Sequence, residues 1–425
     1  MILKQKTFHN QQFNLNSMSF KEFPENPNTS HYIQCKKSHN LSALSDRINP
    51  DMSSHNLPHI LAEPQLLQQC SLRDWDRLLP WARRVGVVGK FYTYLEAQGQ
   101  LDRIPAQVQP HLEAASIIAA EHERRIRWEC NRIQRALFDL QDRDFPVILL
   151  KGAAYAMAGL PCAHGRLVSD VDIMVPKSSL ATLEPILQKH GWETVKNSDY
   201  DQQYYRQWMH ELPPLRHRLR GTILDVHHTI LPETSRLKPD PALLIAASRP
   251  LPNTPFRIFY PADMVLHSAA HAFQEELGNP LRDLLDLHEL LTHFSEQEPD
   301  FWETLPQRAR QLGLTRPLFY ALRYTRRFLH TAVPETVTQA LKKAGPPWPL
   351  LQCMDRLLDA VTLAEHPRRT APAVARWLLY LRSHWLRMPP LLLARHLGYK
   401  AWLRWRPSAT TPTPHPNPPP PGGRE

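Results

Sequence analysis

Two aspartates one residue apart, Asp170 and Asp172, stand in the apolar run Ser169-Asp170-Val171-Asp172-Ile173-Met174-Val175. In an extended chain successive side chains alternate between faces, so both carboxylates share one face while Val171, Ile173 and Val175 point into a core. Two acidic groups side by side need a cation. Upstream, Phe145-Pro-Val-Ile-Leu-Leu150 reads as a strand that turns at Lys151-Gly152-Ala153-Ala154 into a helix, and Arg166 comes shortly before the acidic pair. Carboxylates, a glycine-bearing turn and basic groups brought together suit phosphoryl chemistry on a nucleotide. A bare Asp-x-Asp is also a common solvated turn, so the surrounding pattern must carry the reading.

A third carboxylate does so. Gly221-Thr-Ile-Leu-Asp-Val-His-His-Thr-Ile230 reads as another strand with Ile223, Asp225 and His227 on one face. Asp170, Asp172 and Asp225 can then hold one or two hard ions, Mg2+ or Mn2+, which keep water and bridge substrate phosphates. Asp225 can also take a proton from an attacking hydroxyl, with His227 beside it as an accessory group. The plainer reading has Asp225 at a strand end or paired with a nearby Arg.

These residues resemble the uncharacterised bacterial members of the nucleotidyltransferase superfamily with the polymerase-beta-like fold. Their pattern is a Gly-containing turn, Asp-x-Asp or Asp-x-Glu on a strand, and a third acidic residue on a neighbouring strand; Gly152, Asp170, Asp172 and Asp225 supply it here. The Leu-Lys-Gly opening, Arg166 and the step from Asp225 to His227 look closest to a subgroup similar to abortive-infection toxin nucleotidyltransferases. The resemblance spans about residues 70–330. It implies an α+β fold, a nucleotidyltransferase-type mixed sheet core with N- and C-terminal helical flanks. It also implies an NTP substrate gripped by Lys151, Gly152, Ala153 and Arg166, and catalysis and metal binding by the three aspartates. Two features depart from the pattern: Ala153 stands where a small hydroxyl residue is usual, and the gap from Gly152 to Asp170 is wide.

At 425 residues and 42% hydrophobic content, the chain can bury a sizeable core with a helical appendage, or two domains. Cys35, Cys70, Cys130, Cys162 and Cys353 are odd in number and contain no Cys-x-x-Cys pair, which supports neither a disulfide framework nor a zinc site and fits a reducing cytoplasm. No apolar run approaches the about 18 residues needed to span a bilayer. The net charge of +10 is concentrated at one end: from His366 onward ten Lys or Arg residues face one acid, Glu425, so this stretch carries +9. Its aromatic segments, Ala375–Arg387 and Leu391–Trp405, read either as a contact for a polyanion such as RNA or for a membrane surface, or as a helix whose Trp377, Leu381 and Trp385 dock on the body.

The positioning elements follow from pattern. Residues 1–60 read as a disordered N-terminal segment and 61–144 as a helical region, with a capping box at Ser71-Leu-Arg-Asp74 and helical spacing from about 107 to 140. The core is expected over 145–260, with a helix from Ser178 to His190 and further strands between Trp192 and Leu219. Helices follow over 261–365, a basic amphipathic segment over 366–406 and a Pro-rich disordered tail over 407–425. His267 and His271 are four apart on a helix without a His-Glu-x-x-His arrangement, and helix packing accounts for them. For Arg282, Asp283 and Asp286, pairing within the helix suffices. The function expected is transfer of a nucleoside monophosphate from an NTP to a hydroxyl of an RNA, protein or small molecule. The rivals are a di-metal phosphohydrolase built on Asp170, Asp172, His227, His267 and His271, and a non-catalytic descendant that binds a nucleotide or a partner.

Overall fold

Asp170 and Asp172 sit in the middle of a seven-stranded mixed sheet. A computed structural model describes residues 56–140, 145–195, 199–275, 278–366, 369–395 and Gly398, all within one unit spanning 52–425. The strands are β1 (Val147–Leu150), β2 (Asp170–Met174), β3 (Trp192–Thr194), β4 (Leu215–His217), β5 (Ile223–His227), β6 (Arg249–Pro250) and β7 (Phe256–Ile258). Their order is β3-β4-β5-β2-β1-β7-β6. β1 pairs antiparallel with β2 and parallel with β7, while β2 pairs parallel with β5. All four residues of β1 are buried, as expected of a continuous apolar run in a central strand.

Helices flank the sheet on the sequence at both ends. Leu72–Val85 begins with the expected capping box, in which Asp74 Oδ2 accepts from the Ser71 backbone N–H at 2.9 Å and the Ser71 hydroxyl accepts from the Asp74 backbone N–H. Gln109–Leu137 buries Ile126, Cys130 and Ile133 and packs on β2 and on the helix Lys151–Ala158. The N-terminal boundary expected at residue 60 falls inside a helix, Leu57–Ala62, which Asn56 caps and whose Leu57, Ile60 and Leu61 are buried. The rest of the expected N-terminal segment and the Pro-rich tail lie outside the described residues. β3 and β4 both lie in the stretch where strands were expected, and between them the chain also forms a helix, Asp199–Trp208.

The basic aromatic segment is a helix, Thr370–Arg387, and it docks differently from the expected packing. Pro372, Ala375, Leu379 and Ser383 are buried, whereas Trp377, Leu381 and Trp385 are 59%, 41% and 48% exposed. At helical spacing these two sets fall on different faces, and the small, smooth face is the one that approaches the body closely. The Arg382 guanidinium donates to the Phe273 carbonyl at 2.8 Å and the Thr234 hydroxyl to the Arg387 carbonyl at 2.7 Å, so the helix belongs to the folded body. No helix among the described residues is long and apolar enough to cross a membrane.

Candidate active site

Parallel pairing of β2 and β5 sets Asp172 directly opposite Asp225, with Asp170 opposite Ile223 and Met174 opposite His227. Residues in register share a face, so Asp170, Asp172, Asp225 and His227 all point the same way. Asp172 is 7% exposed, and Asp170 and Asp225 are half-buried. The Lys151 ammonium lies 3.5 Å from Asp172 Oδ1, and His227 Nε2 lies 3.0 Å from the same oxygen. Burial alone would push the Asp172 carboxyl up, but Lys151 and His227 hold it well below the usual carboxylate range. Burial and the neighbouring Asp172 raise Asp170. Burial works against the Lys151 charge too, yet Asp172, Glu275, Glu211 and Asp170 keep the ammonium protonated. Asp170, Asp172 and Asp225 on one face beside this ammonium offer oxygen donors of the kind hard divalent ions take.

The turn between β1 and the helix Lys151–Ala158 presents Lys151 with φ of +44°, a left-handed conformation that a residue with a side chain adopts at a cost of order 1 kcal/mol. Gly152 follows, and its role is legible in the space around it: a Cβ there would stand 2.6 Å from Arg166 Nη1 and 2.7 Å from Val168 Cγ1. Glycine lets the Arg166 side chain lie against the turn. Arg166 in turn meets both oxygens of Asp286, Nε to Oδ2 at 2.9 Å and to Oδ1 at 3.2 Å, in a buried pair. Asp286 is therefore partnered across the fold rather than within its own helix, while Arg282 stands 3.7 Å from Asp283. Ala153 is fully buried.

Other side chains at this end escaped sequence reasoning. Residues 210–212 run antiparallel beside the end of β5, through a bridge between Glu211 and His227 and a hydrogen bond from the His228 N–H to the His210 carbonyl at 2.8 Å. Glu211 Oε2 comes within 3.5 Å of His227 Nε2. Burial, then Asp225 and Glu275, raise the Glu211 carboxyl well above the usual range. Glu275 meets His271 Nδ1 at 2.8 Å and stands 3.4 Å from His210 Nε2; the His271 contact, with the Lys151 ammonium, outweighs its burial and holds it well below that range. Burial pushes His210 down to about 3 and His267 well below an ordinary imidazole, so both are neutral at pH 7. The His271–Glu275 spacing of four was readable on a helix; nothing local in Met209-His210-Glu211-Leu212 signals its place beside β5.

A glycine contact and a buried ion pair support the loop that leads to β2. A Cβ on Gly89 would lie 2.5 Å from the Gly165 carbonyl oxygen, and Lys90 Nζ sits 2.6 Å from Glu289 and 3.1 Å from the Pro161 carbonyl. Both contacts fix the segment that carries Arg166.

Residues 71–330 match the sequence pattern of a family described as uncharacterised nucleotidyltransferases. Among curated proteins none matches the chain. Two solved structures are similar to it. The antibiotic-resistance factor ANT(2'')-Ia is 14% identical over 47% of this chain and 97% of its own, with a TM-score of 0.29. An antigenic nucleotidyltransferase-like protein from Paracoccidioides brasiliensis is 12% identical over 51% of this chain and 96% of its own, with a TM-score of 0.23. Scores this low place no residue of the chain by superposition. The family match covers more than half of the sequence and takes in all seven strands and the three aspartates, so this protein belongs to the family of uncharacterised nucleotidyltransferases.

Proposed function

We propose that the chain transfers a nucleoside monophosphate from an NTP to a hydroxyl group, releasing pyrophosphate, with Mg2+ or Mn2+ held by Asp170, Asp172 and Asp225. The observation that supports this best is the register that sets Asp172 against Asp225 on one sheet face. A bound ion would supply Lewis-acid neutralisation of phosphate charge. The remaining work falls to the chain's own groups. Asp225, partly open to solvent, takes the proton of the acceptor hydroxyl as that oxygen bonds to the α-phosphorus and the bond to the leaving pyrophosphate breaks. Lys151 offers a fixed positive charge to the phosphates. Gly152 and Arg166 act as positioning residues, since the Arg166–Asp286 pair braces the turn that aims Lys151. The buried Ala153 contributes shape to that turn. His227 keeps Asp172 oriented through its 3.0 Å contact.

The acceptor class is proposed from the surface. Trp377, Leu381 and Trp385 face outward on a helix without acids, whose Arg376, Arg382 and Arg387 are half-buried beside its docked face; the outward aromatic face suits an RNA acceptor through base stacking. The deciding experiment supplies purified protein with each labelled NTP, Mg2+ or Mn2+ and fractionated cell extract, and follows the released phosphate species and the labelled product. Pyrophosphate with label in one fraction supports transfer. Orthophosphate without labelled product would establish the phosphohydrolase instead, and NTP binding with no turnover the non-catalytic descendant.

A further inference from the structure

Beside the aspartate set lies a different donor group. His210, Glu211 and His227 each bring a ligand-capable atom within 4.8 Å of the other two, the one such trio among the described residues. Ligands that each stand about 2.0–2.2 Å from a single tetrahedral ion are about 3.5 Å apart, so these three groups need only draw together to enclose one. The two imidazoles are 5% and 1% exposed, and their ring centroids are 5.0 Å apart.

Their hydrogen bonding decides what they lack. His227 Nε2 faces Asp172 at 3.0 Å, and His210 Nε2 faces Glu275 at 3.4 Å. A carboxylate only accepts, so His227 Nε2 carries the proton and its Nδ1 holds a lone pair, while the His210 ring only stands near Glu275. Both Nδ1 atoms are buried without a hydrogen-bond partner. Two buried ring nitrogens without a partner are costly, and a cation bound by both would satisfy them at once. An imidazole oriented by a carboxylate on its far nitrogen is also the usual arrangement around a bound transition ion.

We infer that His210, Glu211 and His227 form a second cation site, separate from the aspartates, which takes a divalent ion of the Zn2+ class rather than Mg2+. Two nitrogen donors and one carboxylate suit zinc, whereas Mg2+ prefers oxygen donors and retained water. The site does not depend on the transfer reading. It would couple to that reading through His227, whose proton-bearing nitrogen orients Asp172 while its other nitrogen holds the ion.

The test uses the full chain, stripped by chelator and dialysed, with Zn2+ followed by calorimetry and Co2+ by its visible absorption. One equivalent is expected, undisturbed by millimolar Mg2+. His210→Ala and Glu211→Gln should each weaken Zn2+ binding by at least the roughly 10- to 100-fold that losing an outer-sphere partner costs. Wild-type protein that takes up neither ion overturns the inference, as does a folded His210→Ala variant with unchanged affinity. Should His210→Ala fail to fold, Glu211→Gln carries the same expectation, and unchanged affinity there is equally fatal. Asp170→Asn should keep the full equivalent of Zn2+; loss of binding in that variant would put the ion among the aspartates and overturn the second site. A zinc-loaded wild type that releases no pyrophosphate would count against transfer while supporting this site.

Discussion

Replacing Asp172 with Asn removes one charge at nearly constant size, and the structure gives the two consequences different magnitudes. At 3.5 Å, the Lys151–Asp172 attraction is about 5 kcal/mol at the effective dielectric near 20 that describes protein sites. Lys151 keeps Glu275, Glu211 and Asp170 as neighbours, and Asn still accepts from His227 Nε2, so the net loss of stability should be about 2–3 kcal/mol. For a body of this size that is a fall in melting temperature on the order of 5 °C at pH 7. The pH dependence has a definite sign. Asp172 is depressed in the folded state, so its contribution is complete above the ordinary carboxylate pKa near 4 and disappears as pH falls through its lower folded value. The difference between wild type and Asp172→Asn should therefore hold from pH 7 to about 5 and shrink below about 4. Turnover should fall further than stability: loss of a group that acts on transition-state charge typically costs about 100- to 1,000-fold. Calorimetric melting across pH and pyrophosphate release measure the two effects. Full turnover in a folded Asp172→Asn variant would remove this residue from the proposed site. An unchanged melting temperature would refute the charge pairing from which the magnitude was worked.

Three further outcomes follow from the geometry. Asp225→Asn should slow the chemical step more than it weakens NTP binding, judged by single-turnover rates against nucleotide titration; an equal loss in both would make Asp225 chiefly a metal ligand. Gly152→Ala drives a methyl toward Arg166 Nη1 and Val168 Cγ1, at 2.6 and 2.7 Å, and should cost about 1–3 kcal/mol in denaturant unfolding, whereas a neutral result would show that Arg166 moves aside freely. Trp377→Ala should leave melting within about 0.5 kcal/mol of wild type, since this side chain is 59% exposed, yet weaken salt-dependent binding to single-stranded RNA; unchanged RNA affinity would remove this helix face from acceptor binding.

The parts of this protein that are written in short range were legible along the chain. Strand alternation put Asp170 and Asp172 on one face and Asp225 with His227 on another strand, because a period of two needs only neighbouring residues to be read. The capping box at Ser71, the long helix before β1 and the helical region after Pro261 were legible for the same reason. Tertiary structure decided what those strands face. The register of β2 on β5 joins residues more than fifty positions apart, and a shift of one residue would have turned Asp225 away from Asp172. Arg166 pairs with Asp286 across 120 residues, and no local pattern encodes that choice. His210 and Glu211 reached His227 only because residues 210–212 fold back beside β5. The helix Thr370–Arg387 was amphipathic in more than one way, and the shape of the body selected its small face, through Ala375 and Leu379, leaving Trp377 and Trp385 outside. Periodicity fixes which residues share a face; only packing against the rest of the chain fixes what that face meets.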